Sequence, residues 1–494
     1  MENDLEEALI VTEDAIAHNT EDVPDNSYTS IIKKFLKGAC PLFLSFAAIF
    51  SVSFVGLYFL GSTTNNSDVM GGYGIGNAWL LLVGFSVFLS LCIGLQSRVS
   101  QAFGAKKYEL IGLYFHRAII INIIVLIPSM LLLLGSKYIF ELLDFNPNSS
   151  KYAVIYLLYG APGSLCFVGY FTLASVLNGC RQYALTGLAQ VISSILYIPV
   201  SYLLIVQLDL GIIGSGICYT FSWGMSLILL LIFLKIKNPI PQIFFRPRKE
   251  SFQQISDLLK YEVIVGCMSW ADLVYYEVIS LFSGNLSSDE QAGYTIAGTV
   301  YKVTYPVLVA LSFTTLILAG NSMGAKDKQK TRRIIKVSLW AGIINTLIFE
   351  ILFLWTKKIF INIYSPNSGS FDYALGCLNI LLLELPIDAT QTIMASGVKA
   401  IGQEKMGAGL VAISDLLLGI PVAYFCCKVF GLGIIGIPLG SFAAVTGKFL
   451  IFSYIFARTD LEKQILSVSV ALKQKKSEEI NDESRQEISK YGVN

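Results

Sequence analysis

Within Gly266–Gly284, a run of membrane-spanning length, the chain carries two carboxylates, Asp272 and Glu277. An ionised carboxylate near a bilayer centre costs at least about 3 kcal/mol, and such residues are tolerated where they face a water-filled cavity or a partner. The chemistry they offer is reversible binding of a proton or cation. The competing reading is a buried ion pair or a hydrogen-bonded structural acid. A second pair, Glu384 and Asp388, is spaced i, i+4 and so shares one helix face. Pro386 lies between them and frees local backbone carbonyls that can bind water or a cation. Two acids this close give up their protons in steps that belong to the pair. Asp272 and Glu277 are five residues apart, about 140° around a helix. They line one cavity only if it is wide, and Glu277 is explained equally well as a structural acid.

The charge is lopsided. The first six apolar segments contain no Asp, Glu, Lys or Arg in their interiors, whereas the second six add Lys302, Glu350, Asp415 and Lys448 to the four acids above. Proton or cation chemistry therefore belongs to the C-terminal half. Lys302 and Lys448 are possible charge partners for these acids, which outnumber them. Trp270, Tyr275, Tyr276, Tyr301 and Tyr305 are close in sequence to the acids, and aromatic faces beside carboxylates suit organic cations. The bland reading of each aromatic is ordinary bundle packing.

The elements that must hold these residues are membrane helices. Of 494 residues 54% are hydrophobic and 14% charged, against about 25% charged in a soluble protein. Twelve apolar segments of roughly 20 residues recur between Lys37 and Ala457. With both termini cytoplasmic, 29 of the 36 Lys and Arg fall on the inner side and 5 on the outer, a strong positive-inside bias. The N-x-S sequences at Asn65, Asn148 and Asn285 all fall in loops this topology places outside, where they are glycosylation candidates. The expected divisions are an acidic disordered arm (1–36), an N-terminal lobe of six helices (37–236), a cytoplasmic linker (237–261), a C-terminal lobe of six helices (262–457) and a cytoplasmic tail (458–494).

The two halves repeat. Ile198-Pro-Val-Ser-Tyr202 recurs as Ile420-Pro-Val-Ala-Tyr424, and Leu210-Gly-Ile-Ile-Gly214 as Leu432-Gly-Ile-Ile-Gly436. Gln101-Ala-Phe-Gly-Ala-Lys106 has its counterpart in Asn321-Ser-Met-Gly-Ala-Lys326. Six helices per repeat return the chain to the same side, so the repeats are parallel. Two such bundles leave a cleft between them, as alternating access requires. Glycine in the Gly-Ala-Lys stretches is expected to permit the turn, and Pro41, Pro199 and Pro421 to kink their helices.

Other function classes find little support. A net charge of +1 suggests no nucleic-acid surface, and nine cysteines without a CxxC spacing suggest neither a zinc site nor a disulfide framework. His18 and His116 have no companions that make a site. No metal cluster or nucleophile–base pair appears, so an enzyme, a metal centre and a cofactor are not expected.

At these repeated stretches the chain resembles the multidrug and toxic compound extrusion (MATE) family, in its eukaryotic branch. Gln101–Lys106 with His116-Arg117, Asn321–Lys326, and Val398-Lys-Ala-Ile-Gly402 leading to Gly419-Ile-Pro421 carry the likeness. The resemblance implies an all-α integral membrane protein with twelve helices in two pseudo-symmetric bundles. It also implies export of organic cations or other drug-like solutes against inward protons. The glutamate pair of helix seven falls on Asp272 and Glu277, and the helix-ten acid on Asp388, or on Glu384 if a turn has shifted. A helix-eight acid of animal-type members is replaced by Ala297. The expectation is a monomeric proton-coupled antiporter for organic cations in the plasma membrane or a vacuolar or endosomal membrane. The alternatives are an exporter of organic anions or a lipid-linked substrate, a channel, or a non-transporting membrane protein.

Overall fold

The computed structural model describes residues 27–64, 67–143, 145, 147–237, 239–281, 288–364 and 368–473. Among these residues twelve long helices follow one another: α1 Tyr28–Thr63, α2 Asp68–Gly104, α3 Tyr108–Leu134, α4 Pro147–Gly179, α5 Tyr183–Gln207, α6 Gly211–Lys237, α7 Ile255–Leu281, α8 Asp289–Gly324, α9 Lys328–Asn362, α10 Ser370–Ala400, α11 Glu404–Val429 and α12 Gly433–Arg458. A shorter helix, α13, covers Leu461–Ala471. Eleven of the twelve are long and apolar enough to cross a membrane. The exception is α7, which has comparable length but carries Asp257, Lys260, Glu262, Asp272 and Glu277 along it. Helices satisfy every backbone donor and acceptor internally, which hydrocarbon surroundings demand. The chain is an integral, multi-pass membrane protein.

The duplication extends to backbone conformation. Lys106 and Lys326 adopt φ of 57° and 59°, Arg181 and Gly402 63° and 83°, Asp209 and Gly431 49° and 64°, and Gly211 and Gly433 49° and 57°. Each pair occupies corresponding places in the two halves. Both α5 and α11 end in a π-helical turn, Tyr202–Gln207 and Phe425–Val429, a few residues after Pro199 and Pro421. The Gly-Ala-Lys stretches work differently from the sequence expectation. The left-handed residue is the lysine, and the glycine serves close approach instead. A Cβ on Gly104 would collide with the backbone carbonyl of Asn321, and one on Gly324 with that of Gln101. Each glycine of one repeat thus lies directly on the backbone of the other.

Helices α1–α6 pack as one lobe, through α4 on α2 and α6 and through α5 on α1 and α6. Helices α7–α12 form the second, through α10 on α8, α9 and α12 and through α7 on α11. The lobes meet where α2 crosses α7 and α8, and where α1 lies on α8. The contacts concentrate near the end that carries the linker. There Ser97 Oγ donates to the Lys399 carbonyl (3.1 Å), Gln101 Nε2 to the Ala400 carbonyl (3.1 Å) and Asn321 Nδ2 to the Gly179 carbonyl (3.2 Å). One apolar cluster runs across the joint, taking Phe35, Leu95 and Val99 from the first lobe and Val265, Leu316 and Met323 from the second. Helix α13 caps this end. Glu462 pairs with Lys328 of the second lobe, and the Leu472 carbonyl accepts from Lys107 Nζ of the first (2.9 Å). A cavity bordered by Ser45, Gln96 and Asn178 of the first lobe and Phe313 of the second holds about 20 Å³, room for one water.

Candidate functional site

An aromatic core fills the first lobe, built on Phe88, Phe167, Tyr170, Phe171 and Trp223. The second lobe buries charge. Helix α10 places Glu384 and Asp388 one turn apart, 0% and 4% exposed. Asp388 is surrounded by donors. Its Oδ2 accepts from the Tyr301 hydroxyl of α8 (3.0 Å), and its Oδ1 accepts from Gln391 Nε2 (2.9 Å) and from Thr392 Oγ1 at 3.5 Å. Hydrogen bonds to an ionised group are worth about 1.5–3 kcal/mol each, so this setting can hold a carboxylate. The Tyr301 hydroxyl can also accept, so the same contact survives if Asp388 takes a proton. Glu384 receives one donor, Ser441 Oγ of α12 (2.8 Å), while its buried Oε2 has no hydrogen-bond partner among the described residues.

Beside these acids, Asp415 Oδ1 of α11 meets Lys448 Nζ of α12 at 3.0 Å, with both side chains almost fully buried. The Lys448 ammonium lies 5.7 Å from the centre of the Tyr275 ring. Asp415 opens a second π-helical turn, Asp415–Gly419, and such bulges often mark functional positions. A Cβ on Gly419 would come within 2.5 Å of the Tyr275 hydroxyl, so only glycine lets α11 approach that phenol. Removing one partner of a buried pair leaves an uncompensated charge and costs about 3–5 kcal/mol. Lys448→Met and Asp415→Asn should each lower the unfolding midpoint in detergent sharply, and the double variant should recover most of the loss. Additive losses would show that the pair is not coupled.

The other residues singled out in the sequence are distributed unevenly. Lys302 is exposed in a 3-10 turn, Lys302–Thr304, that interrupts α8. Trp270 is 40% exposed. Tyr305 is half-buried, with its ring 6.1 Å from that of Tyr301. Asn148 is exposed, second in α4. The side chains of Asp272, Tyr276 and Glu277, and the residues Asn65 and Asn285, lie outside the described residues. No cluster that could hold a metal ion occurs among the described residues. Gln391, Thr392 and Ser441 were not legible as site residues, because uncharged polar groups are common in membrane bundles. The partnership of Asp415 with Lys448 joins two helices, and no spacing along the chain reports that.

Comparisons with known proteins agree with this architecture. The MatE family model matches residues 41–203 and 267–425, one stretch in each lobe. Protein DETOXIFICATION 49 of Arabidopsis thaliana is 23% identical over 476 residues, covering 92% of each chain. Multidrug and toxin extrusion protein 1 of Danio rerio is 22% identical over 473 residues, covering 94% of this chain and 79% of its own. Among solved structures, the eukaryotic MATE transporter AtDTX14 superposes with a TM-score of 0.85 at 17% identity, over 90% of this chain and 100% of its own. The Vibrio cholerae MATE transporter VcmN, in its bent form, gives 0.75 at 15% identity, over 90% of this chain and 99% of its own.

Proposed function

This chain belongs to the MatE family of multidrug- and toxin-extruding membrane transporters, and from that premise we propose that it is a proton-coupled antiporter that exports organic cations by alternating access. The observation that carries the reading is the setting of Asp388: buried, one turn from Glu384, and held by Tyr301 and Gln391. Such a group has two usable states. Deprotonated, it attracts a cation arriving from the linker end. Protonated from an acidic far side, it loses that attraction and the cargo leaves. Asp272, on the neighbouring α7, joins it in this reading. The excess of Lys and Arg in loops at the linker end makes that end cytoplasmic, with both termini beside it. The protein works as a monomer, in the plasma membrane or a vacuolar or endosomal membrane.

An organic anion is a weaker fit. Of the two lysines that would favour one, Lys302 is exposed and Lys448 is engaged with Asp415.

Proteoliposomes test the proposal directly. An imposed pH gradient should drive accumulation of fluorescent organic cations, and a sodium gradient alone should not. Asp272→Asn should abolish the pH-driven component while the protein still inserts. Transport that follows sodium, or normal efflux by the variant, would refute the assignment.

A further inference from the structure

Glu262 belongs to none of the groups described above. It lies on α7, seven residues, or about 10 Å, from the linker-end start of that helix at Ile255. It is 1% exposed, and its buried Oε1 has no hydrogen-bond partner among the described residues. The neighbouring lobe covers it. A Cβ on Gly94 of α2 would stand 2.7 Å from the Glu262 Cα, so the two helices touch backbone to backbone at this point.

The charges that could have neutralised it are committed elsewhere. On α2, the Arg98 guanidinium lies 3.6 Å from the centre of the Tyr261 ring and donates to Gln101 Oε1. On α3, Arg117 donates to the Glu250 carbonyl (3.1 Å) and His116 Nδ1 contacts Ser251 Oγ (3.1 Å). On α10, Lys399 donates to Ser269 Oγ (2.7 Å). On α11, Glu404 is itself acidic. The remaining titratable neighbour on α2 is the buried Cys92 thiol. A charged carboxylate is therefore poorly accommodated while the lobes are together, because a buried charge needs a partner. Gly94 of α2, in the opposite lobe, stands against the Cα, Cβ and Cγ of Glu262. When α2 and α7 part, its carboxyl meets water and can ionise.

We infer that Glu262 is a second proton site, occupied only while the lobes are closed at the linker end and emptied toward that end when they separate. The inference rests on the alternating-access reading and adds to it a proton tied to the joint rather than to the cargo.

Spin labels at Glu109 and Gln329, exposed positions on α3 and α9 of opposite lobes, measure the separation in the full-length protein in nanodiscs without any substrate. In the wild type, lowering the pH should move the distance distribution toward the close population, by about tenfold in the population ratio per pH unit across the transition, as one proton requires. Glu262→Gln should stay in the close population at every pH, and Glu262→Asp should keep the pH response. A Gln variant that follows the wild-type curve, or a wild type without a pH response, overturns the proposal. Carboxyl footprinting of the unmutated protein gives a reading that needs no variant. Labelling of Glu262 relative to exposed Glu109 should rise with pH, and a constant ratio overturns the proposal. Because neither measurement uses substrate, failure of the antiport reading would be seen separately, in the liposome experiment.

Discussion

Asp388→Asn should reduce pH-gradient-driven transport in proteoliposomes by at least about 100-fold. The loss follows from charge alone. Two unit charges about 4 Å apart at an effective dielectric near 20 attract by about 4 kcal/mol, almost three powers of ten in binding. Asparagine keeps the shape and leaves an oxygen for the Tyr301 hydroxyl, 3.0 Å from Asp388 in the native protein. Packing in the second lobe should therefore survive, and the unfolding midpoint should barely move. Tyr301→Phe and Gln391→Leu are the graded comparisons. Each removes one hydrogen bond to the charged form, worth about 1.5–3 kcal/mol, and should slow transport by roughly ten- to a hundredfold without uncoupling it. Normal pH-driven transport by the Asn variant would move the role to Glu384 or Asp272.

The second large effect concerns the joint. Gly104→Ala or Gly324→Ala should shift the protein away from the form closed at the linker end. In both cases the added methyl is directed at backbone, Asn321 in one case and Gln101 in the other, and backbone cannot rotate aside as a side chain can. Overpacking of this kind costs about 1–3 kcal/mol, which reduces the ratio of closed to open forms by about five- to 150-fold. The spin-label pair at Glu109 and Gln329 reads that ratio. Gly409→Ala is the control, since a Cβ there meets nothing within 4 Å. It should raise stability by roughly 0.5–1 kcal/mol, as loss of a helix-interior glycine normally does. If the two joint variants behave like the control, the lobes do not pivot at this crossing.

Much of the architecture is legible in the chain before any coordinates. Apolar runs of spanning length, the one-sided distribution of Lys and Arg, and the matches between Ile198–Tyr202 and Ile420–Tyr424 point to two lobes of six helices, because length, charge and repetition are linear properties. Local sequence gives the turn of Gly-Ala-Lys to its glycine, yet Lys106 and Lys326 take the left-handed conformation, and the glycines are required by contact between repeats. That contact lies between residues more than two hundred positions apart, so it leaves no local mark. The acids of α10 were legible because charge in an apolar run is rare. Glu262 carries no such mark, because it stands where the basic linker gives way to the apolar part of α7, as an interfacial residue does. The residue that stands against it, Gly94, belongs to the other lobe and is far away along the chain.

The paired left-handed positions also give the molecule an internal control. Arg181 and Gly402, or Lys106 and Lys326, are twins in geometry set in halves of unequal chemistry. Damage to a twin in the first half reports what the shared scaffold requires for assembly. Any surplus deficit from the matching lesion on the acidic side then measures what cargo handling alone demands, with no second protein needed as a reference.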